Sequence, residues 1–81
     1  MKFRVQVFAA ARDAIGADAI EVDVAEPPTV GELRRSMNAQ FPALAHITPH
    51  LMFAVDADYA DDRTPLHDGA DVAAIPPVSG G

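Results

Sequence analysis

The sequence predicts an α+β fold in which a mixed sheet wraps round one main helix and a flexible tail follows. Strand-like segments occur near both ends of the chain. One longer segment between them has apolar residues at helical spacing. The chain then ends in two glycines that follow two prolines. With 81 residues, of which 49% are hydrophobic, we expect one small globular domain.

Two strands and a short helix are predicted in the first part of the chain. Positions 2–8 and 19–24 alternate polar and apolar residues, which is typical of strands with one buried side. Between them, positions 9–15 are rich in helix formers and end at Gly16, a residue suited to a helix C-terminus. Because this connection is short, we expect the two strands to pair.

The main helix is predicted between two proline segments. Thr29 suits the N-cap, and Glu32 stands three positions later, which makes a capping box. The apolar residues at helical spacing are Val30, Leu33, Met37 and Phe41. Pro42 disfavours helical geometry at the residue before it, so the helix should end there.

The later part of the chain predicts a loop at 43–49 and two or three further strands. Positions 51–55 and 72–75 are apolar throughout, which is typical of strands covered on both sides. The helix can cover one side of the sheet, so the other needs a second cover, for which a partner protein is one candidate. This order of elements predicts a β-grasp, or ubiquitin-like, domain at 1–76 and an extended Gly-Gly tail at 77–81.

Composition excludes several classes of function. The net charge of −6 argues against binding to nucleic acid or to anionic membrane surfaces. The absence of cysteine excludes disulfides, thiolate nucleophiles and thiolate metal sites. The N-terminal segment has no signal-peptide pattern, and no apolar run approaches the roughly 20 residues that span a bilayer. We therefore expect a cytoplasmic protein.

The side chains do not predict an active site. Thr48-Pro49 lies between His46 and His50 and prevents the regular helix that would align them, and His67 is isolated. The acidic segment 56–62 lacks the central glycine and the closing glutamate of a calcium loop. We therefore predict no metal site, and we interpret these residues as surface residues.

The C-terminus is the strongest functional signal. Pro76 and Pro77 cannot donate ladder hydrogen bonds, so they should end strand pairing and direct the tail away from the sheet. Gly80 and Gly81 have no Cβ and can follow a channel too narrow for side chains. The terminal carboxylate of Gly81 can thus reach the active site of another protein.

Several motifs along the chain match one known family. They are Phe8-Ala9-x-x-Arg12 with Gly16, Pro28-Thr29-Val30 with Leu33, Ala54-Val55 before a turn, Thr64-Pro65-Leu66-x-Asp68-Gly69-x-Asp71-Val72-Ala73, and Pro76-Pro77-Val78-Ser79-Gly80-Gly81. Over nearly its whole length the chain resembles the small subunit of molybdopterin synthase, the MoaD family of sulfur carriers. It departs from the family at Asp56, where asparagine is frequent, and in the acidity of positions 58–62.

The resemblance implies a sulfur relay in which the chain is not an enzyme on its own. An adenylyltransferase similar to ubiquitin-activating enzymes would use ATP to adenylate Gly81, and a sulfur-donating enzyme would supply sulfur for a thiocarboxylate. The large, catalytic subunit of molybdopterin synthase would accept the tail and pass the sulfur to cyclic pyranopterin monophosphate. The resemblance implies no cofactor bound to the chain itself. The tail residues that would enter partner active sites are Pro77, Val78, Ser79, Gly80 and Gly81.

The resemblance and the apolar strands together suggest partner contacts. The residues we expect to contact the partners are Phe8, Arg12, Phe53, Tyr59 and Ile75. Core packing is the alternative role for the apolar residues among them. For Arg12 the alternative is to cap its own short helix.

Three other functions remain open on the sequence. A sulfur carrier for thiamine or cysteine synthesis would share the fold and the tail chemistry. A ubiquitin-like modifier that attaches to lysines could form lysine-linked chains only through Lys2, the single lysine. An interaction domain with an incidental Gly-Gly end would keep its role without Gly81.

Overall fold

The computed structural model describes residues 1–77, in which one five-stranded mixed sheet has the strand order β2-β1-β5-β3-β4. The strands are β1 (Lys2–Val7), β2 (Ala19–Asp23), β3 (Met52–Val55), β4 (Asp58–Ala60) and β5 (Val72–Ile75). The helices are α1 (Ala9–Ile15) and α2 (Val30–Gln40), with short 3₁₀ turns at Pro42–Leu44 and Thr48–His50. This arrangement is the β-grasp predicted from the order of elements.

The pairing of β1 holds the two halves of the sheet together. Its residues alternate between exposed and buried, as their polarity predicts. β1 pairs antiparallel with β2, with Val5 opposite Ile20, and parallel with β5, with Val5 opposite Val72. β5 in turn pairs antiparallel with β3, with Phe53 opposite Ala74. Strands distant in sequence therefore share one core.

The predicted limits of α2 are confirmed. The Thr29 hydroxyl oxygen accepts a hydrogen bond from the Glu32 N–H at 3.2 Å, which satisfies one free donor of the first turn. The Glu32 carboxylate pairs with Arg35. At the other end, Phe41 leaves helical geometry with φ −128° and ψ 79°, immediately before Pro42. The residues that α2 buries in the core are Val30, Leu33 and Met37.

The segment predicted as a loop at 43–49 is more ordered than its sequence suggests. A proline lies in the first turn of each 3₁₀ segment, where its fixed φ is already suitable. Thr48 is 1% exposed, and its hydroxyl donates to the Leu44 carbonyl at 2.7 Å. This polar side chain is therefore buried with its hydrogen bond satisfied.

Arg34 fastens this segment to α2. Its Nη1 donates to the carbonyl oxygens of Thr48 at 2.8 Å and Leu51 at 2.9 Å. Its Nε and Nη2 donate to Asp62 Oδ1 at 3.2 and 2.9 Å. The guanidinium carbon lies 5.0 Å from the centre of the Phe53 ring. One side chain thus ties together the helix, the segment before β3 and the segment after β4.

The β3–β4 hairpin turns through two residues with positive φ. Asp56 has φ 50° and Ala57 has φ 73°, which is the pattern of a type I′ turn. Aspartate tolerates this region because its short side chain can bond locally, whereas alanine does so at a cost of about 1–2 kcal/mol. Ala57 is thus a site of local backbone strain.

We expect Ala57→Gly to stabilise the protein. Glycine removes the Cβ penalty but gains entropy in the unfolded chain, so the net gain should be about 0.5–1 kcal/mol. The measurement is the free energy of unfolding in urea. As a control, Ala43→Gly in the exposed 3₁₀ turn should lower stability by a similar amount. A loss of stability in Ala57→Gly would contradict the strain at this turn.

We expect Arg34→Met to destabilise the protein by about 2 kcal/mol, because it removes the donor that satisfies the Leu51 carbonyl. The neighbouring Arg35→Met is the matched control, since its side chain is 71% exposed and makes only a surface ion pair. That variant should stay within about 0.5 kcal/mol of wild type in the same unfolding experiment. Equal effects of the two substitutions would argue against the fastening role of Arg34.

Candidate functional site

The two faces of the sheet have different surroundings. On the face that meets α2, the side chains of Val5, Val22 and Val72 are fully buried. Because side chains alternate along a strand, the residues between them point to the opposite face. We call this opposite side the open face. It is the predicted uncovered side of the sheet.

Half of the open face is apolar. The register places Met52 opposite Ile75, Ala54 opposite Ala73, and Ala54 also opposite Tyr59. Met52 is 48% exposed and Tyr59 70% exposed, which is unusual for side chains of this size. Phe8, 42% exposed, follows Val7 in an extended conformation, so the β1–β5 register continued by one residue brings it beside Ile75. The apolar patch consists of Phe8, Met52, Ala54, Tyr59, Ala73 and Ile75.

The other half of the open face is polar. The exposed residues of β1 and β2 on this side are Lys2, Arg4, Gln6, Glu21 and Asp23. They carry charges of both signs, whereas the patch contains no ionisable group apart from the Tyr59 phenol. A protein surface that covers the patch must therefore be apolar at its centre.

The prediction that Phe53 contacts a partner is wrong. Phe53 is 1% exposed and lies on the core face of β3, opposite Ala60 and Ala74. Its ring packs in the hydrophobic core and under the Arg34 guanidinium. Since positions 51–55 are apolar at every residue, their sequence did not reveal which side chains face the helix. Phe53 is a core residue and is not available to a partner.

The other predicted contact residues lie on the patch or beside it. Phe8, Tyr59 and Ile75 belong to the patch itself. Arg12, in the last turn of α1, lines a shallow cleft together with Phe8. Its guanidinium lies 4.0 Å from the exposed Asp18 carboxylate, a contact too solvated to hold the side chain firmly. Arg12 is therefore accessible, and its contact with a partner stays a prediction.

The end of β5, which precedes the predicted tail at 77–81, lies at the patch. Ile75, the last residue of β5, pairs with Met52, and both side chains lie on the open face. Pro76 is half-buried and Pro77 is exposed. The remaining predicted tail residues lie outside the described residues. They are Val78, Ser79, Gly80 and Gly81.

A polar network at the far end of β5 was not predicted from the sequence. Asp56 Oδ2 lies 2.5 Å from His67 Nε2, and Asp56 Oδ1 accepts from the Asp71 N–H at 3.0 Å. The second ring nitrogen of His67 lies 2.9 Å from the Asp68 carbonyl oxygen. The partners are eleven positions apart, and no local pattern relates them. Their contact arises from the long-range pairing of β3 with β5.

The network favours the charged forms of both side chains. Both ring nitrogens of His67 face oxygen acceptors, which only the imidazolium can satisfy together. The hydrogen bond to Asp56 accordingly raises the pKa of His67 above its ordinary value of 6.5. The hydrogen bond from His67, supported by the Asp71 N–H, lowers the pKa of Asp56 below 3.8. The network thus stabilises the hairpin turn.

The described residues, 1–77, contain neither a metal cluster nor a membrane-spanning helix. Within residues 1–77, no group of three or more His, Cys, Asp or Glu side chains is placed to hold a metal ion. In the same residues, every helix falls short of the length and apolarity needed to cross a membrane.

Comparison with known proteins identifies related chains. The ThiS family model matches residues 5–81. The molybdopterin synthase sulfur carrier subunit of Escherichia coli (strain K12) is 44% identical over 80 residues, covering 96% of this chain and 98% of that protein. The crystal structure of SAMP1 from Haloferax volcanii superposes with a TM-score of 0.84 at 25% identity, with both chains fully covered. A chain of the complex between subunits 1 and 2 of the molybdopterin-converting factor from Helicobacter pylori 26695 gives 0.69 at 26%, also with full coverage.

We expect the stabilisation from the Asp56–His67 pair to depend on pH. The raised pKa of His67 means that its contribution is complete below pH 6.5 and is lost as the pH rises through the folded-state pKa. The lowered pKa of Asp56 means that its contribution is complete above pH 3.8 and is lost at lower pH. The difference in unfolding midpoint between the wild type and His67→Gln should therefore be largest between pH 3.8 and pH 6.5. His46→Gln, at another exposed histidine, should give no such maximum.

Proposed function

The chain belongs to the ThiS family, and we propose that it is the sulfur carrier subunit of a molybdopterin synthase. The apolar patch lies where the tail leaves the sheet, and this juxtaposition carries the proposal. A partner that covers the patch would receive the tail at the same time. The likeness to sulfur carrier subunits over nearly the whole chain supports the same role.

Docking on the large synthase subunit uses the open face. The exposed apolar side chains of Tyr59, Met52 and Phe8 supply burial energy, at about 25 cal/mol per Å² of apolar area removed from water. Small residues on the patch, Ala54 and Ala73, allow the partner surface to approach the strands closely. Docking on a sheet whose core is already packed needs little rearrangement, which favours affinity.

The reactive group in this proposal is the Gly81 carboxyl. The adenylyltransferase joins it to the α-phosphate of ATP, with pyrophosphate as the leaving group. Sulfur supplied at the sulfide level by the sulfur-donating enzyme then attacks the acyl carbon, AMP departs as the leaving group, and a thiocarboxylate remains. In the large subunit, whose side chains supply the catalysis, this sulfur passes to cyclic pyranopterin monophosphate. We expect these steps in the cytoplasm, with no cofactor bound to the carrier itself.

The composition of the chain suits a carrier of this kind. No cysteine is present, so a side-chain persulfide cannot hold the sulfur. The carboxyl terminus is the remaining place for it. A carrier that leaves catalysis to its partners needs only a reactive end, a docking face and a stable domain between them.

We expect deletion of Gly81 to abolish sulfur transfer while docking is retained. One residue fewer withdraws the carboxyl group by about 3.3–3.6 Å, whereas reacting atoms must approach within about 3–3.5 Å. The wild type, incubated with ATP, a sulfur source and its organism's activating enzyme, should gain the mass of one sulfur in place of one oxygen. That gain should disappear as molybdopterin forms on the large subunit.

The outcomes separate the alternatives. Sulfur gained by the wild type but not passed to the pterin would point to a carrier for another pathway. A stable conjugate with a lysine of another protein would point to a modifier. No change in mass with an active activating enzyme would exclude a carrier. Equal binding of the wild type and the deletion variant to the large subunit checks that the deletion leaves the docking face intact.

A further inference from the structure

An open cleft of about 440 Å³ adjoins the apolar patch at its β4 side. The side chains that give the cleft its charge and its apolar surface are those of Arg34, Met52, Tyr59 and Asp61. We call it the edge cleft, since β4 is the last strand of the sheet. The cleft has room for one long side chain, and it is continuous with the patch through Met52 and Tyr59.

We propose that the edge cleft binds an arginine or lysine side chain of the protein that docks on the patch, between the Tyr59 ring and the Asp61 carboxylate. This inference rests on the proposed function, because it requires the patch to be a docking face. It adds a charge requirement to a surface that is otherwise apolar.

The walls of the cleft match both parts of such a side chain. The apolar stem of an arginine or lysine can lie against Met52, which is 48% exposed. The Tyr59 ring, 70% exposed, offers a π-face to the cationic group. Docking would remove this site from bulk water, and cation–π attraction strengthens when the groups are desolvated.

The charges around the cleft favour a cation in spite of Arg34. The Arg34 guanidinium is held by Asp62 and by two backbone carbonyls, and its charge is matched by the Asp62 carboxylate at 2.9 Å. Within residues 1–77 no cationic side chain forms a salt bridge with Asp61, so its carboxylate adds negative charge to the cleft wall. Asp58, also exposed on β4, pairs with Val55 and so points to the face opposite to that of Tyr59, outside the cleft.

The Asp61 carboxylate is oriented before binding. Its Oδ1 accepts from the Arg63 N–H at 2.9 Å and from the Thr64 hydroxyl at 3.3 Å. Within residues 1–77 no donor bonds to its Oδ2, which leaves one oxygen for a ligand. A carboxylate fixed by its own turn loses little side-chain entropy on binding, which favours affinity.

Binding of the full-length chain to the large synthase subunit of its own organism tests the inference. Asp61→Asn keeps the Oδ1 acceptor of the turn and removes the charge, while Asp58→Asn makes the same change of net charge outside the cleft. At low ionic strength we expect Asp61→Asn to weaken the equilibrium affinity about three- to ten-fold, mostly through faster dissociation. Asp58→Asn should change it less than about two-fold.

The Tyr59 ring and the salt dependence of binding provide two further tests of a cation in the cleft. Tyr59→Leu keeps an apolar contact and removes the π-face, so it should also weaken binding, and its effect should be smaller in the Asp61→Asn background. High salt should reduce the difference between the Asp61 and Asp58 variants. Unchanged unfolding midpoints would verify that each variant folds. If Asp61→Asn does not fold, the effect of Tyr59→Leu on binding still decides the test.

Equal effects of Asp61→Asn and Asp58→Asn, confined to the association rate, would overturn the inference. The acidic residues would then serve only to steer partners or to protect an edge strand from pairing. Failure of the proposed function has a different signature, because the wild type itself would not bind the large subunit. In that case the inference falls with it.

Discussion

The fold depends on the position of β5 in the middle of the sheet. This four-residue strand pairs parallel with β1 and antiparallel with β3, and it thereby joins the N-terminal hairpin to the later part of the chain. Val72 and Ala74 complete the core on one face, while Ala73 and Ile75 complete the apolar patch on the other. β5 therefore contributes both to the core and to the apolar patch, and it ends two positions before the predicted tail at 77–81.

A single helix can cover only one face of this sheet. The 11 residues of α2 extend over about 16 Å, and five strands about 4.8 Å apart span about 19 Å. With α2 used on the core face, no element of comparable length within residues 1–77 remains for the open face. The exposed apolar patch is thus a consequence of the domain's size. The net charge of −6 helps to keep such a surface in solution.

Local sequence patterns predicted most of the fold. The alternation in β1, the Thr29 cap and the end of α2 before Pro42 are all local, and each is confirmed. What the sequence could not predict depends on contacts between distant residues. The register of β3 with β5 determines which alternate side chains of β3 face the core, and it therefore determines the burial of Phe53. The Arg34 and Asp56–His67 networks likewise form only when separate segments meet. At the candidate site, the apolar strands indicated an uncovered face, but not which of their side chains lie on it.

The most direct test of the open face as the docking surface is a cross-saturation NMR experiment on the isotopically labelled chain bound to the unlabelled large synthase subunit. We expect loss of methyl intensity at Ile75, Met52 and the alanines of the patch, with little change at Ala39, an exposed residue of α2. Saturation of Ala39 together with undisturbed signals from the patch would contradict this expectation.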